Sequence, residues 1–382
     1  MNFFKFYRTN HLQADTRRRS LLFDARWLRH SGIGTTVKYL LTQLSQYTHL
    51  RIVILSMKYD LTYIREILPS ADIVTTTISG MSFAEQIILP FVLPWDIDYF
   101  YSPVYIKPLI HPGRLVVTIH DILHVRGIRF FSNPFLGLYA YILLLHACYF
   151  SVRITCDTQF TLNELRSAVP FLNLNKVIVA YPGFKSLDLV KNLNIPSSLQ
   201  DFCSKPYFLF VGNLKPHKNL PTLLQAFISS NSSASCNLII VGKMSGLRSP
   251  AFHHLTPLLA RTSSIHLIGI VDDGILAYLY ANALAFVFPS FYEGFGLPPL
   301  EALSLGTPVI SSSAAPMPEV LSTYPSYFDP TDIQALSQLL DDHFLNNQYY
   351  KQRLSASSAS DFILTRYTWP VFADKLFSIL AS

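Results

Sequence analysis

Two carboxylates stand eight positions apart in one string of fourteen residues. The string PSFYEGFGLPPLEA covers residues 289–302 and contains Glu293 and Glu301. A carboxylate accepts hydrogen bonds from pairs of hydroxyl groups, so each is suited to holding a sugar or a ribose. Taken alone, Glu293 is better explained as a turn residue and Glu301 as a carboxylate near a helix start. The complete string favours a binding site for a polyol.

The elements around these carboxylates predict an anion site. An apolar strand over 285–288 runs into a glycine-containing loop, and two prolines follow where a first helical turn accepts them. Backbone N–H groups of such a loop and helix start face phosphate or sugar oxygens. The expected donors lie at Gly294, Phe295, Gly296 and Leu297.

A second unit of strand, loop and helix carries a cation. The strand over 207–211 is followed by Gly212 and Asn213, and Lys218 stands directly before a predicted helix. Lysine is a mobile point charge that suits an anionic group such as a phosphate. The alternative interpretation of Lys218 is an exposed cation before a helix.

The N-terminal half contributes weaker candidates. Gly32 and Gly34 lie between a strand and a helix, where the backbone can approach a phosphate closely. His120 follows the strand over 115–119, at the edge where α/β folds place ligands, although a lone histidine is equally often structural. The pattern Asp96-Ile97-Asp98 suits a metal or a plain turn, and we expect no metal.

Composition limits the class of protein. The chain has 382 residues, half of them hydrophobic and 14% charged, against roughly 25% in typical soluble chains. Disorder, fibrous repeats and small disulfide scaffolds are excluded. The net charge of +6 favours phosphate-bearing ligands or an anionic membrane, since no nucleic-acid motif accompanies it. Four cysteines without metal spacing predict a reduced, cytosolic protein without structural zinc.

Short apolar runs alternate with helical stretches along the whole chain, which predicts two doubly wound, Rossmann-like α/β domains with a cleft between them. The predicted domains are residues 1–190 and 191–365, joined by a linker at about 184–205, with a further segment over 366–382.

Together these motifs resemble a known family. The string SFYEGFGLPPLEALSLGTPVISS resembles the C-terminal signature of retaining glycosyltransferases of the GT-B fold, family 4, with its E-x7-E pair. PYFLFVGNLKPHKNLPTLLQAF resembles the strand and phosphate loop of that family's nucleotide domain, and FDARWLRHSGIGTTVKYLL its N-terminal glycine loop. The resemblance also implies that residues 366–382 form a helix that packs back on the first domain.

The resemblance implies roles for the candidate residues. Glu293 and the loop amides hold the donor sugar, Glu301 the ribose, and Lys218 the diphosphate, while His120 approaches the reacting sugar. The implied catalytic residues are therefore His120, Glu293 and Lys218. The remaining donor-binding positions of this set are Gly32, Gly34, Gly212, Asn213 and His217. Basic residues common in the family are replaced here by Thr35, Asn213 and His217.

The expected reaction is transfer of a hexose with retention, with mannose from GDP-mannose as the preferred donor, to a saccharide or lipid-linked acceptor of surface polysaccharide or lipopolysaccharide. No cofactor and no obligatory metal are expected. The alternatives are a non-catalytic GT-B partner subunit, favoured by the lost basic residues, and a hydrolysing nucleotide-sugar epimerase.

Membrane contact is expected from two segments. Residues 1–30 hold seven Lys and Arg against two Asp, which suits contact with anionic lipid and a solvated, disordered leader equally well. Phe135 to Val152 has no charged residue. The second segment is interpreted as a buried or membrane-resting helix rather than a span. The expected location is cytoplasmic and peripheral, at the inner face of the cytoplasmic membrane.

Overall fold

The computed structural model describes residues 18–30, 32–80, 82–126, 134–184, 187, 189, 195–243 and 262–381. Contacts divide the chain into two units: unit 1 comprises residues 1–183 and 368–382, and unit 2 comprises residues 184–367. Most of the expected basic arm, residues 1–17, lies outside the described residues.

Unit 1 is built on seven parallel strands in the order β3-β2-β1-β4-β5-β6-β7. Leu21 and Phe23 of β1 enter one hydrophobic cluster and Leu22 enters another, so both faces of the sheet are covered. The strands are β1 (Ser20–Asp24), β2 (Arg51–Met57), β3 (Asp72–Thr76), β4 (Tyr99–Ser102), β5 (Arg114–Ile119), β6 (Ser151–Cys156) and β7 (Val177–Val179).

Helices connect these strands. They are α1 (Ile33–Leu44), α2 (Leu61–Ile67), α3 (Phe83–Val92), α4 (Leu123–Arg126), α5 (Pro134–Phe150) and α6 (Gln159–Ala168). The two aspartates weighed as a metal pattern lie just before β4: Asp98 accepts hydrogen bonds from the Ser20 amide and hydroxyl at 2.7 and 2.8 Å, and Asp96 pairs with Arg51. Asp98 therefore joins the start of β4 to the neighbouring β1, and Asp96 joins it to β2 on the far side of β1.

Unit 2 repeats the plan with six parallel strands in the order β10-β9-β8-β11-β12-β13. The strands are β8 (Tyr207–Val211), β9 (Asn237–Val241), β10 (Ile265–Gly269), β11 (Ala285–Phe288), β12 (Val309–Ser312) and β13 (Ser326–Phe328). The helices are α7 (Ser197–Cys203), α8 (Leu220–Ser229), α9 (Asp273–Asn282), α10 (Leu297–Ser304), α11 (Met317–Leu321), α12 (Ile333–Leu345), α13 (Asn347–Ser355) and α14 (Ala359–Arg366). Two parallel Rossmann-like sheets in tandem confirm the predicted fold class.

The segment predicted as an irregular linker contains helix α7. Asn237 donates to the Phe202 carbonyl at 2.8 Å, and the Phe202 ring stacks on His266 at 4.0 Å, so α7 belongs to unit 2. The polar sequence concealed this helix because only a few of its side chains are apolar.

The last helix, α15 (Trp369–Ala381), packs against α1 within unit 1. Tyr39 stacks on Trp369 with centroids 4.8 Å apart, and Tyr47 donates to Asp374 at 2.9 Å. A Cβ at Gly183 would lie 2.3 Å from the Trp369 ring, so a glycine is needed where the chain passes this helix.

Helix α5 holds most of the uncharged segment noted in the sequence. Ala140, Leu143, Leu144 and Ala147 pack into the core of unit 1, and its other side is exposed. Within the described ranges, no helix combines the length and the apolar character that a membrane crossing requires.

Candidate active site

The sheet of unit 2 reverses its strand order between β8 and β11. These strands pair directly, with Ala285 opposite Phe208 and Phe286 opposite Leu209. The connection after β8 leads to one side of the sheet and the connection after β11 to the other. Loops that leave such a switch point side by side form the usual ligand crevice of doubly wound folds.

Lys218 and Glu293 meet at this switch point. The Lys218 Nζ atom lies 2.6 Å from Glu293 Oε1, and the side chains are only 15% and 11% exposed. The two residues come from the loops after β8 and β11, 75 positions apart in sequence. The pair is mostly buried, and the two loops bring one positive and one negative group to the same place.

Hydrogen bonds to backbone carbonyls hold the two loops together. Asn219 adopts a left-handed conformation, with φ of 55°, and its side-chain Nδ2 atom donates to the Pro289 carbonyl at 3.0 Å and to the Pro330 carbonyl at 2.8 Å. The Phe291 amide donates to the His217 carbonyl at 2.8 Å. The position of Lys218 is thus fixed on both sides, by His217 and by Asn219.

Helix α10 begins in a way that concentrates hydrogen-bond donors in the preceding loop. Pro298 and Pro299 have no N–H, so the backbone donors of this helix start come from the residues before them. Gly296 has φ of 93°, and a Cβ there would lie 2.9 Å from Met317 Cε. Phe295 is buried edge-on against Tyr367, with ring centroids 5.3 Å apart. The loop amides are therefore held by a buried ring and a required glycine.

Glu301 lies on α10 and is held from helix α9. The Tyr280 hydroxyl donates to Glu301 Oε2 at 2.9 Å, and Thr307 donates to the Tyr280 carbonyl at 2.6 Å. Burial raises the pKa of Glu301, while the Tyr280 hydrogen bond opposes that rise and Asp273 adds to it. Tyr280 therefore favours the ionised carboxylate, the form that accepts hydrogen bonds from two hydroxyl groups.

Gly212, the first residue after β8, lies against a second glycine that the sequence analysis did not identify. A Cβ at Gly242, after β9, would lie 1.9 Å from the Gly212 carbonyl oxygen. The Gly212 amide donates to the Val241 carbonyl at 3.0 Å. Only a glycine at position 242 allows this backbone approach. Asn213, which follows, accepts from the Lys215 amide at 2.8 Å through its carbonyl.

The corresponding loop of unit 1 leaves β1, which pairs with β4 at that sheet's own switch point. Gly32 precedes the first residue of α1, and a Cβ at Gly34 would lie 2.4 Å from the Leu28 carbonyl oxygen. The segment just after β1 also contains a fully buried ion triad, in which Arg26 Nη2 is 2.6 Å from both Asp24 Oδ2 and Glu85 Oε1. The triad joins the end of β1 to helix α3.

His120 follows β5 and pairs with Asp157, which follows β6. His120 Nδ1 lies 2.7 Å from Asp157 Oδ2, with both side chains nearly buried. Burial would lower the pKa of His120, but the Asp157 carboxylate outweighs it and raises the pKa above its ordinary value. Thr161 also donates to the His120 carbonyl at 3.1 Å, so both ring and backbone are fixed.

The structure thus places the predicted residues in two groups. Gly212, Asn213, His217, Lys218 and the 293–301 string lie in unit 2, and Gly32, Gly34 and His120 lie in unit 1. Among the residues that the structure describes, no group of three or more His, Cys, Asp or Glu comes together in a way that could hold a metal ion.

Parts of the chain are similar to known proteins. Residues 194–360 match the family model described as glycosyl transferases group 1. The chain is 41% identical over 133 residues to O-antigen chain mannosyltransferase B of Escherichia coli, and 28% identical over 219 residues to O-antigen chain mannosyltransferase RfbU of Salmonella typhimurium. The match to the solved structure of Anabaena HepE covers 95% of this chain and 100% of the HepE chain, with a TM-score of 0.74 and 17% identity. The chain has the GT-B fold, and its residues 194–360 are similar to the group 1 glycosyltransferases.

The two curated matches are partial. They cover 34% and 56% of this GT-B protein and 35% and 57% of the relatives' own lengths. The HepE likeness, at low identity, establishes the fold alone.

Three site residues of the GT-B protein were missed from the sequence. Gly242 could have been identified, since β8 and β9 both end in a valine that is followed by a glycine. Asp157 had a weaker one, because it directly follows a strand as His120 does. Tyr280 had none: its hydroxyl reaches Glu301 only through the packing of α9 beside α10.

Proposed function

We propose that this protein is a retaining hexosyltransferase that moves mannose from GDP-mannose to a saccharide or lipid-linked acceptor in the synthesis of a surface polysaccharide or lipopolysaccharide. The observation that carries the proposal is the Lys218–Glu293 pair at the switch point of unit 2. It lies within the segment that matches the group 1 glycosyltransferases.

A charge pair of this kind suits a nucleoside diphosphate sugar. The diphosphate carries negative charge and the sugar carries hydroxyl donors, so Lys218 takes the first and Glu293 the second. Binding of the nucleotide sugar then separates the 2.6 Å pair. A phosphate oxygen replaces Glu293 as the hydrogen-bond acceptor for Lys218, and a sugar hydroxyl replaces Lys218 as the hydrogen-bond donor to Glu293. The amides before Pro298 add donors toward the phosphate oxygens.

The proposed step is substitution at the anomeric carbon. The bond from that carbon to the β-phosphate oxygen breaks, the electron pair leaves with the diphosphate, and the acceptor oxygen bonds to the same face. The acceptor proton passes to the departing phosphate oxygen. Lys218 stabilises the charge that grows on the leaving group. His120, whose ring is held by Asp157, is proposed as a further catalytic residue on the basis of the family resemblance. No cofactor and no obligatory metal enter this proposal.

The remaining donor contact is the ribose. Glu301 presents one carboxylate oxygen to Tyr280, and the other suits the ribose hydroxyls. The choice of mannose and GDP rests on the names of the O-antigen mannosyltransferase relatives. The HepE structure is a complex with UDP and glucose, so other bases and sugars stay in the test. We place the reaction at the inner face of the cytoplasmic membrane, where a lipid-linked acceptor is accessible.

The test is transfer from radiolabelled GDP-mannose to a synthetic polyprenyl-diphosphate-linked saccharide, with the anomeric configuration of the product read by NMR. Lys218→Ala is expected to lower kcat by about 100- to 1,000-fold, as losses of transition-state charge stabilisation do. Lys215→Ala, an exposed lysine on the same loop, is the matched control and should retain activity.

Other outcomes identify other functions. Release of free nucleotide and an altered sugar without acceptor would indicate the epimerase. No donor binding with any nucleotide sugar would refute the transferase and favour the partner subunit, to which the replacement of basic residues at Thr35, Asn213 and His217 points.

A further inference from the structure

Helix α3 presents a row of large apolar side chains to solvent. Phe83, Ile87 and Phe91 follow one another at intervals of four residues and so lie on one side of the helix. They are 76%, 67% and 81% exposed. A surface helix normally turns such a row toward the core, so the exposure of this row needs an explanation.

Helix α5 presents a second row. Phe135, Leu138 and Ile142 are between 48% and 81% exposed, while the opposite side of the helix packs in the core. A helix that is apolar on all sides is normally buried on all sides. The outward side of α5 departs from that rule.

The two rows are adjacent. The Phe83 ring contacts the Tyr139 ring with centroids 5.3 Å apart, and Gln86 donates to the Tyr139 hydroxyl at 3.0 Å. Gln86 also accepts from the Leu109 amide at 2.8 Å, which fixes α3 to the chain that leads into β5. We call the six exposed residues Phe83, Ile87, Phe91, Phe135, Leu138 and Ile142 the α3–α5 surface.

The α3–α5 surface has no exposed charge from its own helices. Glu85 is the one charged residue of α3, and it is buried against Arg26, whereas α5 has none. At about 150–250 Å² per aromatic side chain, the three Phe residues alone expose on the order of 350–600 Å². That already equals the largest apolar patch of a typical monomer, about 300–600 Å².

Charge identifies the kind of partner. Unit 1 carries 19 Lys and Arg against 12 Asp and Glu, a net +7, whereas unit 2 carries 11 against 12, a net −1. Lys176 donates to the Tyr149 carbonyl at the end of α5, and Arg126 lies on α4, which packs beside α5. A second copy would bring two strongly positive units together, which is unfavourable, whereas an anionic lipid surface complements both the charge and the apolar rows.

We propose that the α3–α5 surface docks onto an anionic phospholipid bilayer, with its apolar side chains in the interface and the cations of unit 1 facing the head groups. The inference rests on the proposed function in that it places the transferase beside a lipid-linked acceptor. The helices lie on the membrane and do not cross it.

Trp95 provides the measurement. It is 58% exposed and donates to the Pro90 carbonyl of α3, while Trp27 and Trp369, the other two tryptophans of the chain, are buried. Vesicles of phosphatidylethanolamine and phosphatidylglycerol should shift its fluorescence to shorter wavelength and co-sediment the protein, and vesicles of phosphatidylcholine alone should do so much less. The variant F83S/I87S/F91S should lose at least about tenfold in partitioning.

The control variant I270S/L345S removes two equally exposed apolar side chains from unit 2 and should partition like the wild type. Both variants are checked by thermal unfolding and by binding of GDP. Equal partitioning of F83S/I87S/F91S and the wild type would overturn the proposal. The proposal would also fail if the wild type bound no vesicles and instead formed a dimer that F83S/I87S/F91S could not form. Failure of the wild type to bind GDP would instead refute the proposed function and leave the membrane result standing.

Discussion

Replacing Tyr280 by phenylalanine tests the proposed ribose site with one hydroxyl group. The Tyr280 hydroxyl donates to Glu301 at 2.9 Å in a buried setting, and the ring packs edge-on to Phe286. Tyr280→Phe keeps the ring and removes only the donor. Glu301 then remains buried beside Asp273 with less to favour its ionised form.

The expected loss follows from the strength of that bond. A hydrogen bond to a charged acceptor contributes about 1.5–3 kcal/mol. Since about 1.4 kcal/mol corresponds to a tenfold change, nucleotide affinity at pH 7 should fall by about 10- to 100-fold. Burial already raises the pKa of Glu301, and removal of the Tyr280 donor raises it further. The loss should therefore be larger at pH 6 than at pH 8, because more of the carboxyl is protonated at the lower pH.

Isothermal titration calorimetry with GDP and with UDP at pH 6, 7 and 8 measures this effect. Tyr278→Phe removes a hydroxyl from the same helix that does not contact Glu301, and should bind like the wild type. Thermal unfolding of both variants checks that the fold is retained.

Two results would contradict this role of Tyr280 and Glu301. Affinity of Tyr280→Phe within twofold of the wild type at every pH would show that Glu301 does not hold the ribose. A loss of equal size at all three pH values would show that the protonation of Glu301 has no part in it.

Three further predictions concern unit 1. Burial lowers the pKa of Lys107 to about 7, so the free energy of unfolding should rise by about 1.4 kcal/mol per pH unit between pH 7.5 and 9.5. In urea unfolding, Lys107→Met should lack this dependence on pH. Burial disfavours the charged form of His120, and the Asp157 carboxylate favours it, so Asp157→Asn should lower the His120 pKa in NMR titrations and reduce transfer. The variant should also lack the stability that the wild type has at low pH and loses as the pH rises. An unchanged titration would contradict the pairing. Glu85→Leu should cost about 3–5 kcal/mol in urea unfolding because Arg26 loses one of two buried partners, and a loss below about 1 kcal/mol would contradict that role.

Much of the fold could be predicted because buried parallel strands are short apolar runs. The runs over 207–211 and 285–288 became strands with those bounds. Strands β3 and β13 were missed because they lie at sheet edges, where burial is partial and the apolar pattern is weak. Helix α3 was missed because its outward residues are as apolar as its inward ones, so no helical periodicity stands out.

The site could be predicted as a list of residues but not as a set of contacts. Glycine loops, a lysine before a helix and the two carboxylates are local patterns, so Lys218, Glu293 and Glu301 could be identified. That Lys218 pairs with Glu293 depends on β8 lying beside β11, which is a property of the sheet order. Tyr280, the partner of Glu301, and Asp157, the partner of His120, likewise come from other elements, and no short sequence pattern predicts these contacts.

We propose that Lys218, Glu293 and Glu301 bind a nucleoside diphosphate sugar. The most direct measurement is thermal shift with GDP-, UDP- and dTDP-sugars on the wild type and on Lys218→Ala and Glu301→Ala, with Lys215→Ala as control. We predict stabilisation by one nucleotide class, GDP-mannose first, that is lost in Lys218→Ala and Glu301→Ala and kept in Lys215→Ala. Equal stabilisation of all four proteins, or no stabilisation of any protein by any donor, would show that these residues do not hold a nucleotide sugar.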